Sequence, residues 1–189
     1  MRVTREQFQQ NRERILEAAG RLFRERGFEA VGVADVMKAA GLTHGGFYGH
    51  FKSKDDLIAQ AAGDVAGPVL DRWRQVAETQ GPEALATLAG FYLNEAHRKA
   101  PENGCLAAAL GPEIARQPAS ARGAVTASVE RVLDLLQTVA PGRSQAARRK
   151  RAIAAYASWI GAMVLARMSD DEGLSNEILQ AVREVSTAP

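Results

Sequence analysis

Apolar positions recur along this chain at steps of three, four and seven, the period of one helix face, so an all-α fold is expected. Phe8, Ile15, Ala19, Leu22 and Phe23 fall near one face of a first helix. Thr4 followed three residues later by Gln7 is a capping-box pattern, in which each side chain satisfies a backbone N–H, and Gly27 marks the end. Val33, Val36, Met37 and Ala40 then share the face of a short helix. Gly41 follows where a left-handed residue reverses the chain, Leu42 plugs the angle between helices, and Thr43 caps the next short helix, Thr43 to His50. Phe47 and Phe51 turn inward at a four-residue step, which leaves His44, Gly45, Tyr48 and His50 outward. Two short helices joined by the turn AGLTHGG read as a helix-turn-helix.

After Leu57 the helical pattern runs on to Gln80 with soft breaks at Gly63 and Gly67-Pro68, and is expected as one bent helix. Gly81-Pro82 opens another, carrying Leu85, Leu88, Ala89, Tyr92 and Ala96 and ending before Pro101. Ser120 to Val139 is amphipathic, with Val125, Val129, Val132, Leu133 and Leu136 inward. Ser144 to Met168 forms a long helix whose second half is small and apolar, and Leu174 to Val185 forms the last. The ARRKR run at 147–151 is expected to be a solvated helix start.

Composition narrows the picture. With 189 residues and 46% hydrophobic content the chain can bury a real core. Charged residues interrupt every apolar run and no apolar stretch follows the N-terminus, so a soluble cytoplasmic location, without membrane span or signal peptide, is expected. One cysteine, Cys105, and three separated histidines argue against a disulfide and against a bound metal, and no cofactor is expected. The net charge of +2 hides an asymmetry: residues 1–54 carry net +4 and residues 55–189 net −2, which suits a nucleic-acid module joined to a different body. The arginines of the first helix lie outside its apolar set and are expected mostly to face solvent. Gly45 and Gly46 each cost a helix about 1 kcal/mol relative to alanine. Close approach of this bare surface to DNA, whose phosphates meet a helix N-terminus, explains them.

The run from Ile15 to Leu57 resembles the DNA-binding domain of the TetR/AcrR family of bacterial transcriptional regulators. The likeness rests on the IL-AA-LF face, Gly27-Phe28, the AG turn, Thr43, Gly45, the F-Y-x-H-F series and the Lys54-to-Leu57 helix entry. It implies a three-helix DNA-binding domain over residues 1–53 and an effector-binding and dimerisation domain over 54–189, about nine helices in all by their periodicity. It also implies roles. Thr43 caps the recognition helix and touches phosphate or base, His44 faces the groove, and Tyr48, His50 and Lys54 donate to phosphate. Val31-Gly32 replaces the usual hydroxyl at the start of the second helix, and Gly46 replaces a small side chain. Readout therefore leans on Lys38, Thr43 and His44, across the bare Gly45 and Gly46, and on DNA shape. The resemblance further implies a homodimer through the last two helices and a small-molecule effector in the body. Apolar candidates for its cavity are Trp73, Phe91, Tyr92, Cys105, Leu110, Trp159 and Met163.

Cys105 has two readings. The GCL motif resembles the NemR-like subgroup, in which a cysteine here senses electrophiles or oxidants. As a plain residue Cys105 is a small hydrophobe beside Leu106 and Ala107. The implied function is a repressor released from its operator by a small-molecule or electrophilic effector, not an enzyme. The alternatives are a helical interaction or sensor scaffold without DNA binding and, further off, an enzyme using Cys105 with His97 as base.

Overall fold

The computed structural model describes residues 4–64 and 67–187. Its first helix, α1 (Arg5–Arg26), begins where the Thr4 hydroxyl accepts the Gln7 N–H at 3.1 Å. The Gln7 amide turns instead along the helix to Asn11, so only half of the capping box forms. Gly27 ends the helix at φ 84°. Ile15, Ala18, Ala19, Leu22 and Phe23 are buried, whereas Phe8, expected on the same face, is exposed and stacks on His50 with centroids 4.1 Å apart. Arg12 and Arg24 also depart from expectation. Both are half-buried and bind other parts of the fold.

Helix α2 (Val33–Ala39) is followed by Gly41 at φ 67°, a 3-10 turn over His44–Gly46, and α3 (Phe47–His50). Phe47 and Phe51 are buried and stacked, which seats the second half of the helix-turn-helix on α1. Ser53 starts α4 (Lys54–Asp64) by accepting the Asp56 N–H, while the Asp56 carboxylate accepts the Lys52 N–H. The expected bent helix corresponds to α4 and α5 (Gly67–Thr79), and the residues between them, where its bend would fall, lie outside the described residues. The next expected helix is two. Helix α6 (Ala84–Tyr92) stops at Leu93, and Asn94 caps α7 (Glu95–Lys99) by accepting the His97 N–H at 2.9 Å. Then come α8 (Leu106–Ile114), α9 (Ala119–Val139), α10 (Gln145–Met168) and α11 (Glu172–Thr187). Among the described residues the fold is all-helical.

Two apolar cores organise these helices. One gathers Ile15, Phe23, Phe28, Met37, Phe47 and Phe51 with Leu57 of α4, Leu110 and Ile114 of α8, and Ala121 of α9. It therefore crosses the boundary at 53/54. The other joins Trp73, Leu88, Tyr92, Leu136, Trp159 and Met163 of the body. Polar bonds tie the two parts as well. Glu113 of α8 accepts the Phe28 N–H at 2.8 Å, and Arg24 Nε donates to the Glu102 carbonyl at 2.7 Å.

Candidate nucleic-acid interface and body cavity

The candidate reading face is built by what its neighbours bury. Phe47 and Phe51 anchor the short helix, so His44, Gly45, Gly46, Tyr48 and Gly49 are left in solvent, with Tyr48 70% exposed. Tyr48 packs its ring edge on Phe47 at 5.2 Å. Thr43 occupies the cap position, yet its side chain makes no cap hydrogen bond; the Gly46 N–H is accepted by the Thr43 carbonyl instead. The expected side-chain cap is thus absent, and the Thr43 side chain is exposed. Lys38 is exposed at the end of α2, and Lys54 is half-buried at the start of α4.

The glycines are the sharpest feature of this face. A Cβ at Gly45 or Gly49 would meet nothing within 4 Å, and at Gly46 only the Met37 terminal methyl at 3.6 Å. None of the three has positive φ. Neither packing nor backbone geometry inside the chain requires glycine here. Gly49 joins the residues expected on this face, and its signal in the sequence is a glycine inside FYGHF with no capping role.

His50 stands apart. It is half-buried under Phe8, its Nδ1 is enclosed without a partner, and its carbonyl accepts from Arg12 Nη1 at 2.8 Å. Burial, then the Arg12 charge, lowers its pKa, so the ring is neutral at neutral pH and only Nε2 remains for an outside partner. Arg12 also donates to Gln60 and lies 4.6 Å over the Phe51 ring, which makes it a fastener of α1 to the reading helix. Gly32 N–H donates to the Asp35 carboxylate at 2.9 Å, so it too is already engaged.

The body holds a cavity of about 690 Å³, partly open to solvent, between α5, α6, α8, α9 and the turn before α8. Of the expected lining residues, Trp73, Phe91, Tyr92 and Cys105 face it. Leu110, Trp159 and Met163 do not. Leu110 points into the N-terminal core, and Trp159 and Met163 are fully buried in the body core, where Trp159 Nε1 donates to Ser186 Oγ at 2.8 Å. A helical period tells which face is inside, not which inside space it meets.

The cavity's polar side was missed because it is assembled from distant segments: Arg24 of α1, His97 of α7 and Tyr156 of α10. His97 Nδ1 donates to the Tyr92 carbonyl at 2.7 Å, and its Nε2 accepts the Cys105 N–H at 3.0 Å. Burial lowers its pKa and keeps it neutral. His97 and Cys105 are therefore adjacent, but both ring nitrogens are committed to backbone groups, which leaves no base for the thiol. Cys105 Sγ lies 3.5 Å from Tyr156 Oη. Among the described residues no three His, Cys, Asp or Glu gather as a metal site, and no helix is long and apolar enough to cross a membrane.

Together these features define a helix-turn-helix unit packed onto a helical body that carries an open cavity. Residues 15–61 match the family model described as bacterial regulatory proteins, tetR family. The regulator AcrR of Shigella flexneri is 41% identical over 59 residues, 31% of this chain and 27% of that protein. The repressor KstR2 of Mycolicibacterium smegmatis is 30% identical over 43% of this chain and 40% of its own length. This chain thus spans well under half the length of these curated relatives. The crystal structure of reduced NemR from E. coli superposes with a TM-score of 0.79 at 22% identity, covering 93% of this chain and 94% of that one. A TetR-family regulator from Agrobacterium tumefaciens gives 0.78 at 23%, covering 96% and 100%. Residues 15–61 are thus similar to the tetR-family N-terminal domain, and the fold as a whole is similar to that of solved TetR-family regulators.

Proposed function

We propose that this protein is a sequence-specific transcriptional repressor that reads operator DNA through residues 43–50. The carrying observation is the bare face of Gly45, Gly46 and Gly49, which nothing inside the chain requires, set between exposed Thr43, His44 and Tyr48. Lys38, Tyr48, Lys54 and His50 Nε2 hold phosphate, and Thr43 and His44 approach bases. The protein acts in the cytoplasm and has no enzymatic role. The boundary between reading domain and body falls at residue 53, with α4 serving both.

A homodimer through helices 144–168 and 174–185 is supported by exposed apolar side chains there, Ile153, Leu165, Met168, Leu174 and Val185. Two reading helices then enter major grooves about 34–36 Å apart or a longer repeat. A small molecule in the body cavity favours a conformation that misplaces them.

In its finer, NemR-like form the trigger is electrophile attack at Cys105. Its half-buried place on the cavity wall beside Tyr156 supports this. Replacing Cys105 with serine is then expected to preserve DNA binding and abolish release by N-ethylmaleimide; unchanged release returns Cys105 to the core. A gel shift on DNA upstream of the protein's own coding region, at low salt where phosphate contacts are strongest, tests the whole reading. Absence of any shift refutes it.

A further inference from the structure

Two polar groups stand at the cavity wall with unfilled hydrogen-bonding capacity. Tyr92 is only 4% exposed and lines the cavity, and its enclosed Oη has no nitrogen or oxygen partner, only the Cys105 thiol beside it. Arg24 also lines the cavity, and its Nη1 is enclosed without a partner while Nε is held by the Glu102 carbonyl. Buried donors in folded proteins are nearly always paired, because an unpaired one forfeits its hydration. Cys105 lies within electrostatic range of both, so the two groups share one end of the cavity.

Among the described lining residues the charged members are Arg24 and Arg72, with no aspartate or glutamate. The Glu102 carboxylate acts on Arg24 from outside the lining and accepts the Asn103 amide. His97 is neutral and both its nitrogens are engaged. Asn94, Asn103, Ser128 and Tyr156 add polar groups, and most of the remaining surface is apolar, with Leu70, Trp73, Leu106, Val125, Val129 and Val132. A guanidinium fork pairs best with a planar carboxylate, and a buried phenol that keeps its proton adds a second donor.

We propose that this cavity binds a small apolar carboxylic acid, its carboxylate held by the Arg24 guanidinium and Tyr92 Oη, which turn out of their enclosed positions to meet it, and its hydrocarbon part lying against Trp73, Val129 and Val132. The proposal deepens the reading of this cavity as an effector site and rests on it for any effect on DNA. Arg24 belongs to α1, which also carries the reading unit. An anion at its guanidinium therefore pulls on the DNA-binding part directly as well as on the body.

The test uses ω-phenylalkanoates of increasing chain length against the matching ω-phenylalkanols, titrated on the full-length protein by tryptophan fluorescence, which Trp73 reports. At least one acid is expected to bind about tenfold or more tightly than its alcohol, the effect of a charge-assisted pair. Arg24→Met is expected to abolish that preference and leave alcohol affinity unchanged. Tyr92→Phe, nearly the same shape, weakens only the acid by several-fold and serves if Arg24→Met does not fold. Equal binding of acid and alcohol overturns the proposal, as does a preference that survives both substitutions or no binding of any acid at millimolar concentration. A gel shift run alongside keeps the two readings apart. Arg24-dependent binding without loss of the DNA complex removes the effector role and leaves the carboxylate site standing.

Discussion

Replacing Gly45 or Gly49 by alanine separates folding from function. Each added methyl enters open space, with no heavy atom within 4 Å and no positive φ to strain. Alanine gains up to about 1 kcal/mol over glycine in a helical segment, so each variant is expected to be more stable than the parent. For a chain of this size that raises Tm by about 2–4 °C. Against DNA the same methyl lies between two close surfaces, where an inserted carbon typically costs about 1–3 kcal/mol, or roughly 5- to 150-fold in affinity. Thermal melts and fluorescence anisotropy on a selected operator measure the two effects separately. Gly123→Ala on α9, also exposed and unobstructed, is the control: it gains stability and keeps its DNA affinity. Variants at 45 and 49 that gain stability and bind DNA as tightly as the parent would refute close approach of this face.

Four further outcomes are expected. Lys54→Ala weakens binding to all sequences alike and reduces the slope of log K against log salt by about 0.9, as for one lost phosphate contact; a salt titration reads it. Glu113→Ala removes the acceptor of the Phe28 N–H and lowers stability by about 1–3 kcal/mol in urea unfolding, whereas Glu113→Gln, which still offers an oxygen, restores most of it. His97 has a folded pKa below its ordinary value, so the unfolded chain takes up its proton first. Its stability contribution is full above the ordinary histidine range and is lost as pH falls through the lower folded value, and melts across that window flatten in His97→Gln. Leu165→Glu with Met168→Glu places charges on exposed apolar positions of α10 and is expected to give monomers on size exclusion while leaving the helical signal intact.

Local rules made much of the reading unit legible. The Thr4 cap, the Gly27 and Gly41 reversals and the inward Phe47 and Phe51 all depend on residues within a few positions of one another. The same rules misjudged Phe8 and His50, because the two meet across forty-two residues of chain. They also joined α6 to α7, where no glycine or proline announces the break at Leu93.

By itself, then, the sequence determined most of the helices and of their apolar faces and the resemblance of residues 15–57 to a DNA-binding domain, since each is written in short-range spacing. Only tertiary structure decided which buried residues line a space and which fill one. Leu110, Trp159 and Met163 have the same apolar character as Trp73, but packing sends them into solid core. It alone brought Arg24, Tyr92, His97, Cys105 and Tyr156 to one wall, because polar groups from five separate segments have no common period.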